Sequence, residues 1–177
     1  TGTGITGSVK AIAVQDDGGI IVAGGISMYD GDTCTSIFRV SNTGVLDPSF
    51  DPGSGPTGGS VNRVVIQPDQ RILLAGQFDH FNGAAHEPVA RLTTDGALDP
   101  TFVPADIYGN WLTGLGLRQD GKIMLGGPFY QVNGVDHRSV IRLNADGSLD
   151  PSFNTGSGAA SAARNLAVYP DGQTIVT

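Results

Sequence analysis

Apolar residues along this chain come in short clusters separated by polar turns. The first four are IAV (12–14), IIVAG (20–24), IFRV (37–40) and LDPSF (46–50). The same order returns as VVI (64–66), ILLAG (72–76), VARL (89–92) and LDPTF (98–102). It returns again as LGL (115–117), IMLGG (123–127), VIRL (140–143) and LDPSF (149–153), and LAV (166–168) opens a further round. Each cluster has the length of a strand and is too short for a helix. Isoleucine and valine recur in them, which suits a pleated, packed surface.

The clusters are one repeat. VKAIAVQDDGGIIVAGG (9–25), VNRVVIQPDQRILLAGQ (61–77), LTGLGLRQDGKIMLGGP (112–128) and ARNLAVYPDGQTIVT (163–177) align at spacings of 52, 51 and 51 residues. A unit of about 51 residues is therefore present three times and partly a fourth. Turn dipeptides fall at matching places between the clusters. Asp120-Gly121 and Asp171-Gly172 follow the first cluster, with Pro68-Asp69-Gln70 as a variant. Asp30-Gly31, Asn82-Gly83 and Asn133-Gly134 follow the second, and Thr43-Gly44, Asp95-Gly96 and Asp146-Gly147 follow the third. Glycine takes positive φ cheaply and Asn or Asp tolerates it, so these are hairpin signals. Three tight turns joining four strands make an antiparallel meander. Repeated every fifty or so residues, it predicts an all-β chain of β-propeller blades. The blades are expected at about 8–58, 60–109 and 111–160, with a partial one at 161–177, all in a single repeat domain. The first strand of each should be innermost, with small residues at Ala13, Gly116 and Ala167 letting blades approach near the axis. The chain stops at Thr177, inside the second cluster of its fourth unit. It is expected to be a segment of a longer repeat protein or, failing that, one of several chains in a ring.

The segments P-D-G, N-G and R-L-x-x-D-G-x-L-D-P-S-F, seen most fully in RLNADGSLDPSF (142–153), resemble the delta-60 repeat. The resemblance covers essentially the whole chain. It implies a bacterial propeller repeat of large secreted or surface-attached proteins, with no catalytic residue to carry over. The kelch propeller is the rival, because Gly24-Gly25 and Gly126-Gly127 match its glycine pair, but kelch's repeated Tyr and Trp are missing.

Arg39, Arg91 and Arg142 each precede an Asp by eight residues, at Asp47, Asp99 and Asp150. A two-residue turn at Thr43-Gly44 would set Arg39 opposite Pro48. A three-residue loop ending in Gly44 would set it opposite Asp47, and Gly at that third position is what the associated bulge needs. The three-residue loop is expected, with Arg and Asp as cross-strand partners. The functional alternative, a ring of charge for a ligand, fits less well because the residues do not differ between units. Pro48, Pro100 and Pro151 are expected in an outermost edge strand, where they block pairing with other chains. Phe50, Phe102 and Phe153 should anchor that strand.

Charge narrows the partners. Seventeen acidic residues against ten basic give a formal net charge of −7. Basic residues form no run, so nucleic acid is not an expected partner. No apolar run has the length of a transmembrane segment. The single cysteine, Cys34, permits no intrachain disulfide. Met28-Tyr29-Asp30-Gly31-Asp32 is a weak calcium-loop pattern that reads better as a solvated turn. His86 and His137 share one repeat position with Cys34, which would make a soft metal site only if the three converged. No catalytic motif is present and Glu87 is the lone glutamate. No metal, cofactor or catalytic residue is therefore predicted.

What differs between units is more telling. The second hairpins read SMYDGDTCTS, DHFNGAAHEP and YQVNGVDHRS, and the linkers DPGSGPTGGS, VPADIYGNWL and NTGSGAASAA. Non-repeated aromatics there, Tyr108 and Trp111 with Tyr29 and Tyr130, are candidate contact residues, unless they fill gaps between blades. The expected function is a non-catalytic scaffold or interaction module of a large bacterial secreted or cell-surface protein, with adhesion as one role. Its expected partners are the remaining repeats of a longer chain, other protein subunits, or glycans. The alternative is a propeller enzyme, a glycan lyase or hydrolase, with its site at one ring mouth.

Overall fold

The computed structural model describes residues 2–109, 111–155 and 162–177. Every element within them is a strand. The first repeat holds β1 (Ile5–Val14), β2 (Ile20–Tyr29), β3 (Asp32–Thr33) and β4 (Ile37–Val40). The second holds β5 (Pro56–Thr57), β6 (Val61–Ile66), β7 (Ile72–Gly76), β8 (His80–Phe81), β9 (Ala84–Ala85) and β10 (Val89–Leu92). The third holds β11 (Ile107–Tyr108), β12 (Gly114–Leu117), β13 (Ile123–Gly126), β14 (Gln131–Val132), β15 (Val135–Asp136) and β16 (Val140–Leu143). β17 (Leu166–Val168) and β18 (Thr174–Val176) begin a fourth.

Each main sheet is antiparallel with its second strand in the middle: β1–β2–β4, β6–β7–β10 and β12–β13–β16, followed by the pair β17–β18. The register is the same throughout. Ile20 stands between Val14 and Val40, Ile72 between Ile66 and Leu92, and Ile123 between Leu117 and Leu143. First strands of successive repeats lie beside one another, β1 by β6, β6 by β12 and β12 by β17, as expected of innermost strands.

Two departures from the expected meander have local causes. The LDPSF segment lies beside the third strand but makes one bridge rather than a ladder, Val40 to Leu46, Leu92 to Leu98 and Leu143 to Leu149. The proline is therefore not in an edge strand. It occupies a tight turn in which the Phe50 amide donates to the Asp47 carbonyl (3.3 Å). Asp47 Oδ1 accepts from both the amide (2.9 Å) and the hydroxyl (2.7 Å) of Ser49, closing an Asx-turn. Proline suits the second position of such a turn because its φ is already fixed. The second departure lies at the second hairpin, whose arms break away from the main sheet. They join the preceding linker in a separate small sheet, β5–β8–β9 and β11–β14–β15. In the first repeat these pieces stay fused, so β1 and β2 run ten residues each.

Alternation along the strands stacks the sheets face to face. Ile21, Ala23 and Ile37 pack forward onto Ile72, Leu74, Ala90 and Leu92. From the other face of the second sheet, Leu73, Ala75 and Val89 pack forward onto Leu115, Ile123, Leu125, Ile141 and Leu143. All are buried, and each large side chain contributes about 1.5–3 kcal/mol. Among the described residues no sheet stacks on the outward face of the first sheet, and Ile12 is 62% and Val14 64% exposed. Their repeat equivalents Val64 and Ile66 pack against the preceding sheet.

Close approach explains two sets of glycines. A Cβ on Gly24, Gly76 or Gly127 would lie 2.0–2.2 Å from the carbonyl oxygen of Ser8, Ser60 or Trp111. A Cβ on Gly116 would lie 2.5 Å from Val168, so the expectation of a small residue near the axis holds there. The third linker, NTGSGAASAA, falls largely outside the described residues.

Candidate functional site

The repeated arginine is the centre of a polar cluster in each of the three repeats. Gly44, Gly96 and Gly147 have φ of 82°, 97° and 96°, ending three-residue loops that set each Arg opposite its Asp. The Nε–Oδ2 distances are 2.8 Å for Arg39–Asp47, 2.8 Å for Arg91–Asp99 and 2.7 Å for Arg142–Asp150. Each guanidinium also donates through Nη2 to the hydroxyl two residues beyond the Asp, at Ser49 (3.2 Å), Thr101 (3.1 Å) and Ser152 (3.0 Å). Each lies over the Phe that follows, 5.3, 5.0 and 4.8 Å from the ring centroids of Phe50, Phe102 and Phe153. The third nitrogen reaches the next repeat. Arg39 Nη1 donates to the Thr94 carbonyl (2.8 Å) and Arg91 Nη1 to the Ala145 carbonyl (2.7 Å). Beside them the Asp51 amide donates to the Asp95 carbonyl (2.7 Å) and the Val103 amide to the Asp146 carbonyl (2.8 Å). The cluster is thus a clamp within one repeat and onto the next. In the first two repeats every guanidinium nitrogen has an acceptor within the protein.

Electrostatics agree. Hydrogen bonds from Ser49 hold Asp47 below the usual carboxylate range. Burial pushes Asp99 upward, but Thr101 and Arg91 outweigh it and the net shift is downward. Asp150 is lowered further, first by the Lys122 ammonium at 2.6 Å and then by Ser152. These carboxylates stay ionised and are unsuited to proton transfer near neutral pH.

The second hairpins and linkers carry the groups that vary. Tyr108 on β11 and Tyr130, just before β14, are 60% and 48% exposed, and their rings meet edge to face at 5.3 Å. Trp111 is 46% exposed in the same linker. Tyr29 has a different environment. It is half-buried, lies 5.0 Å from the Phe38 ring, and its hydroxyl donates to the Gly44 carbonyl. A cleft of about 400 Å³ opens between the second hairpin and the following linker, lined by Asp79, Ala85, His86, Glu87 and Pro104. Glu87 accepts from the Ile107 amide (2.8 Å). Burial raises its pKa, the Ile107 amide opposes this, and the negative charge of Asp106 adds to the rise. Among the described residues no three His, Cys, Asp or Glu side chains are grouped to hold a metal ion, so Cys34, His86 and His137 do not form a centre.

A family model described as a domain of unknown function (DUF5122) β-propeller matches residues 15–50, 67–102 and 118–153. The chain belongs to this family. A comparison with curated proteins finds no match. Each DUF5122 match ends on the phenylalanine under the arginine, so the Arg, Asp and Phe of each clamp lie inside the matched residues. Tyr108 and Trp111 fall between matches, in a linker whose aromatics the other linkers of the chain do not repeat.

Sequence reasoning missed two parts of the clamp. The turn carbonyls of Thr94 and Ala145 have no side-chain signature. The second cations on the aspartates, Arg71 at 3.4 Å from Asp99 and Lys122 on Asp150, did leave a signal: they share one repeat position, occupied by Gly19 in the first unit.

Proposed function

We propose that this DUF5122 chain is a non-catalytic propeller scaffold of the delta-60 type that acts by contact, within a large secreted or surface-attached bacterial protein. The observation that carries this reading is the Tyr108–Tyr130 pair, two exposed aromatics in mutual contact on a scaffold whose repeated polar groups are consumed by the clamp. Aromatic faces stack against sugar rings and against protein side chains at little entropic cost. A net charge of −7 disfavours nucleic acid and acidic membranes and leaves neutral glycans and protein subunits as partners. Adhesion is the role that such contacts would serve. A glycan array probed with the wild-type chain and with the Tyr108→Ala/Tyr130→Ala variant tests this. Binding lost in the variant supports the reading, and binding indifferent to both rings counts against it.

A second reading, a glycan-active enzyme, is favoured by the Asp79–His86–Glu87 cleft. Burial raises the pKa of Glu87, the direction a general acid needs, and Asp79 lines the same cleft as a second carboxylate. Turnover of any oligosaccharide that is abolished by Glu87→Gln would favour this reading over the scaffold.

A further inference from the structure

The first two linkers solve one problem in two ways. In each, a two-residue strand, β5 or β11, pairs with the hairpin that follows it. Gly55 and Asp106 occupy the same place. Each donates its amide to a hairpin asparagine, Asn82 Oδ1 or Asn133 Oδ1, at 3.0 Å, and each accepts from the amide of that asparagine. Two residues on, the carbonyls of Thr57 and Tyr108 accept from the amides of Asp79 and Tyr130. Main-chain groups alternate along an antiparallel pair, so those of the residue between, Pro56 or Ile107, point away from the hairpin. Both residues are buried, opposite Phe81 and Val132. A buried amide there needs an acceptor. Pro56 has no N–H to satisfy. Ile107 has one, and it donates to Glu87 Oε2 at 2.8 Å.

Glu87 is matched to that donor. Its repeat equivalents are Thr35 and Arg138. Thr35 lies beside the first linker, its Cβ 3.1 Å from where a Cβ on Gly55 would stand, but its hydroxyl donates to the Ile37 carbonyl (2.7 Å). The chain's one glutamate thus coincides with the linker that carries Tyr108. A strand of two residues does not hold its place by its own ladder. Asn133 ties β11 to the third repeat through Asp106, and Glu87 ties it to the second through Ile107, the neighbour of Tyr108. A shift of β11 would separate Tyr108 from Tyr130, which stands just before β14 on the other side of the pairing. We propose that Glu87 is a positioning residue for the Tyr108–Tyr130 contact surface, a strap from the second repeat that sets β11 and with it the edge-to-face meeting of the two rings. The inference rests on the reading of that pair as the contact surface.

The test compares the wild-type chain with Glu87→Gln, which keeps an acceptor of the same reach, and with Glu87→Met, which keeps the length and has no such acceptor. Amide exchange and ring-to-ring NOEs are read by NMR on the whole chain, with no ligand added. In the wild type the Ile107 amide should exchange slowly, although it points away from its own strand pair. Glu87→Met should speed exchange at Ile107 and Tyr130 about tenfold or more and weaken the Tyr108–Tyr130 NOEs, with β7 and β13 unchanged. Glu87→Gln should match the wild type in both readouts. Ring contact unchanged in Glu87→Met overturns the proposal, and so does a loss that Glu87→Gln shares. Faster exchange throughout β7 and β13 in Glu87→Met also overturns it, because Glu87 would then be a support of the core. The wild-type arm involves no variant, so misfolding cannot decide it: an Ile107 amide that exchanges at the rate of an open loop overturns the proposal by itself. Failure here leaves the tyrosine pair free to bind, whereas glycan binding indifferent to both rings counts against the proposed function and leaves these spectra untouched.

Discussion

Replacing Arg91 by methionine removes the centre of the clamp while keeping most of its packing on Phe102. The Arg91 and Asp99 side chains are 8% and 4% exposed, and the substitution deletes the 2.8 Å ion pair and the 2.7 Å bond to Ala145. Breaking a buried pair from one side costs about 3–5 kcal/mol, because the remaining charge is left without its partner. Arg71 Nε lies 3.4 Å from the same Asp99 oxygen and keeps it partly paired, which places the expected loss at the low end, about 3 kcal/mol. For a chain of this size that corresponds to roughly 6–12 °C in Tm. Arg39→Met removes the same bonds in the first repeat, where the Asp47 side chain is 29% exposed and solvated, so about 1 kcal/mol is expected. The assay is equilibrium urea denaturation followed by fluorescence and circular dichroism, with coincident transitions required before energies are compared. Adding Asp99→Asn to Arg91→Met removes the stranded charge while keeping the Asx-turn acceptor, and should recover most of the loss. Equal costs for the two arginines, or no recovery in the double variant, would refute the buried-clamp reasoning.

Gly96→Val demands positive φ from a β-branched residue and brings its Cβ to 3.0 Å from the Asp51 nitrogen, so it should destabilise by about 1–3 kcal/mol in the same denaturation assay. Gly116→Val forces a Cβ to 2.5 Å from Val168 and should loosen β17–β18, seen as faster amide exchange there with β6–β7 unchanged. Asp47, Asp99 and Asp150 have folded pKa values below their unfolded 3.8, so their stabilisation is present above about pH 4 and is lost as pH falls through the folded values. The urea midpoint should fall steeply in that range, and less so in Asp99→Asn. Glu87 has the opposite sign: its folded value lies above 4.5, so its contribution is present at low pH and lost as pH rises through that folded value, and Glu87→Gln should flatten that part of the curve.

Much of the architecture was legible because it repeats. The clusters VVI, ILLAG and VARL predicted β6, β7 and β10 to within three residues. The spacing of Arg91, Gly96 and Asp99 sufficed to place the ion pair, since a three-residue loop allows one register. The LDPTF segment misled because its apolar ends resemble a strand, while its Asp-Pro-Thr centre closes a turn through Asp99 Oδ1. The small sheets were invisible because two-residue strands such as β5 and β11 have no periodicity. For the same reason Tyr108 and Tyr130 could be named one by one but not joined: only the pairing of β11 with β14 brings them together. The reach of Arg39 to Thr94 spans 55 residues and ends on a backbone carbonyl, a contact that residue identity does not encode.

The central claim, that the first and second repeats are each clamped to the turn of the next, is tested most directly by native-state hydrogen exchange at Asp51 and Val103. Both amides lie outside regular strands, yet each donates across to the next repeat, to the carbonyls of Asp95 and Asp146. The account predicts that they exchange as slowly as the central strand amides of β7 and that Arg91→Met accelerates Val103 selectively. Exchange of both at the rate of an open loop would contradict it.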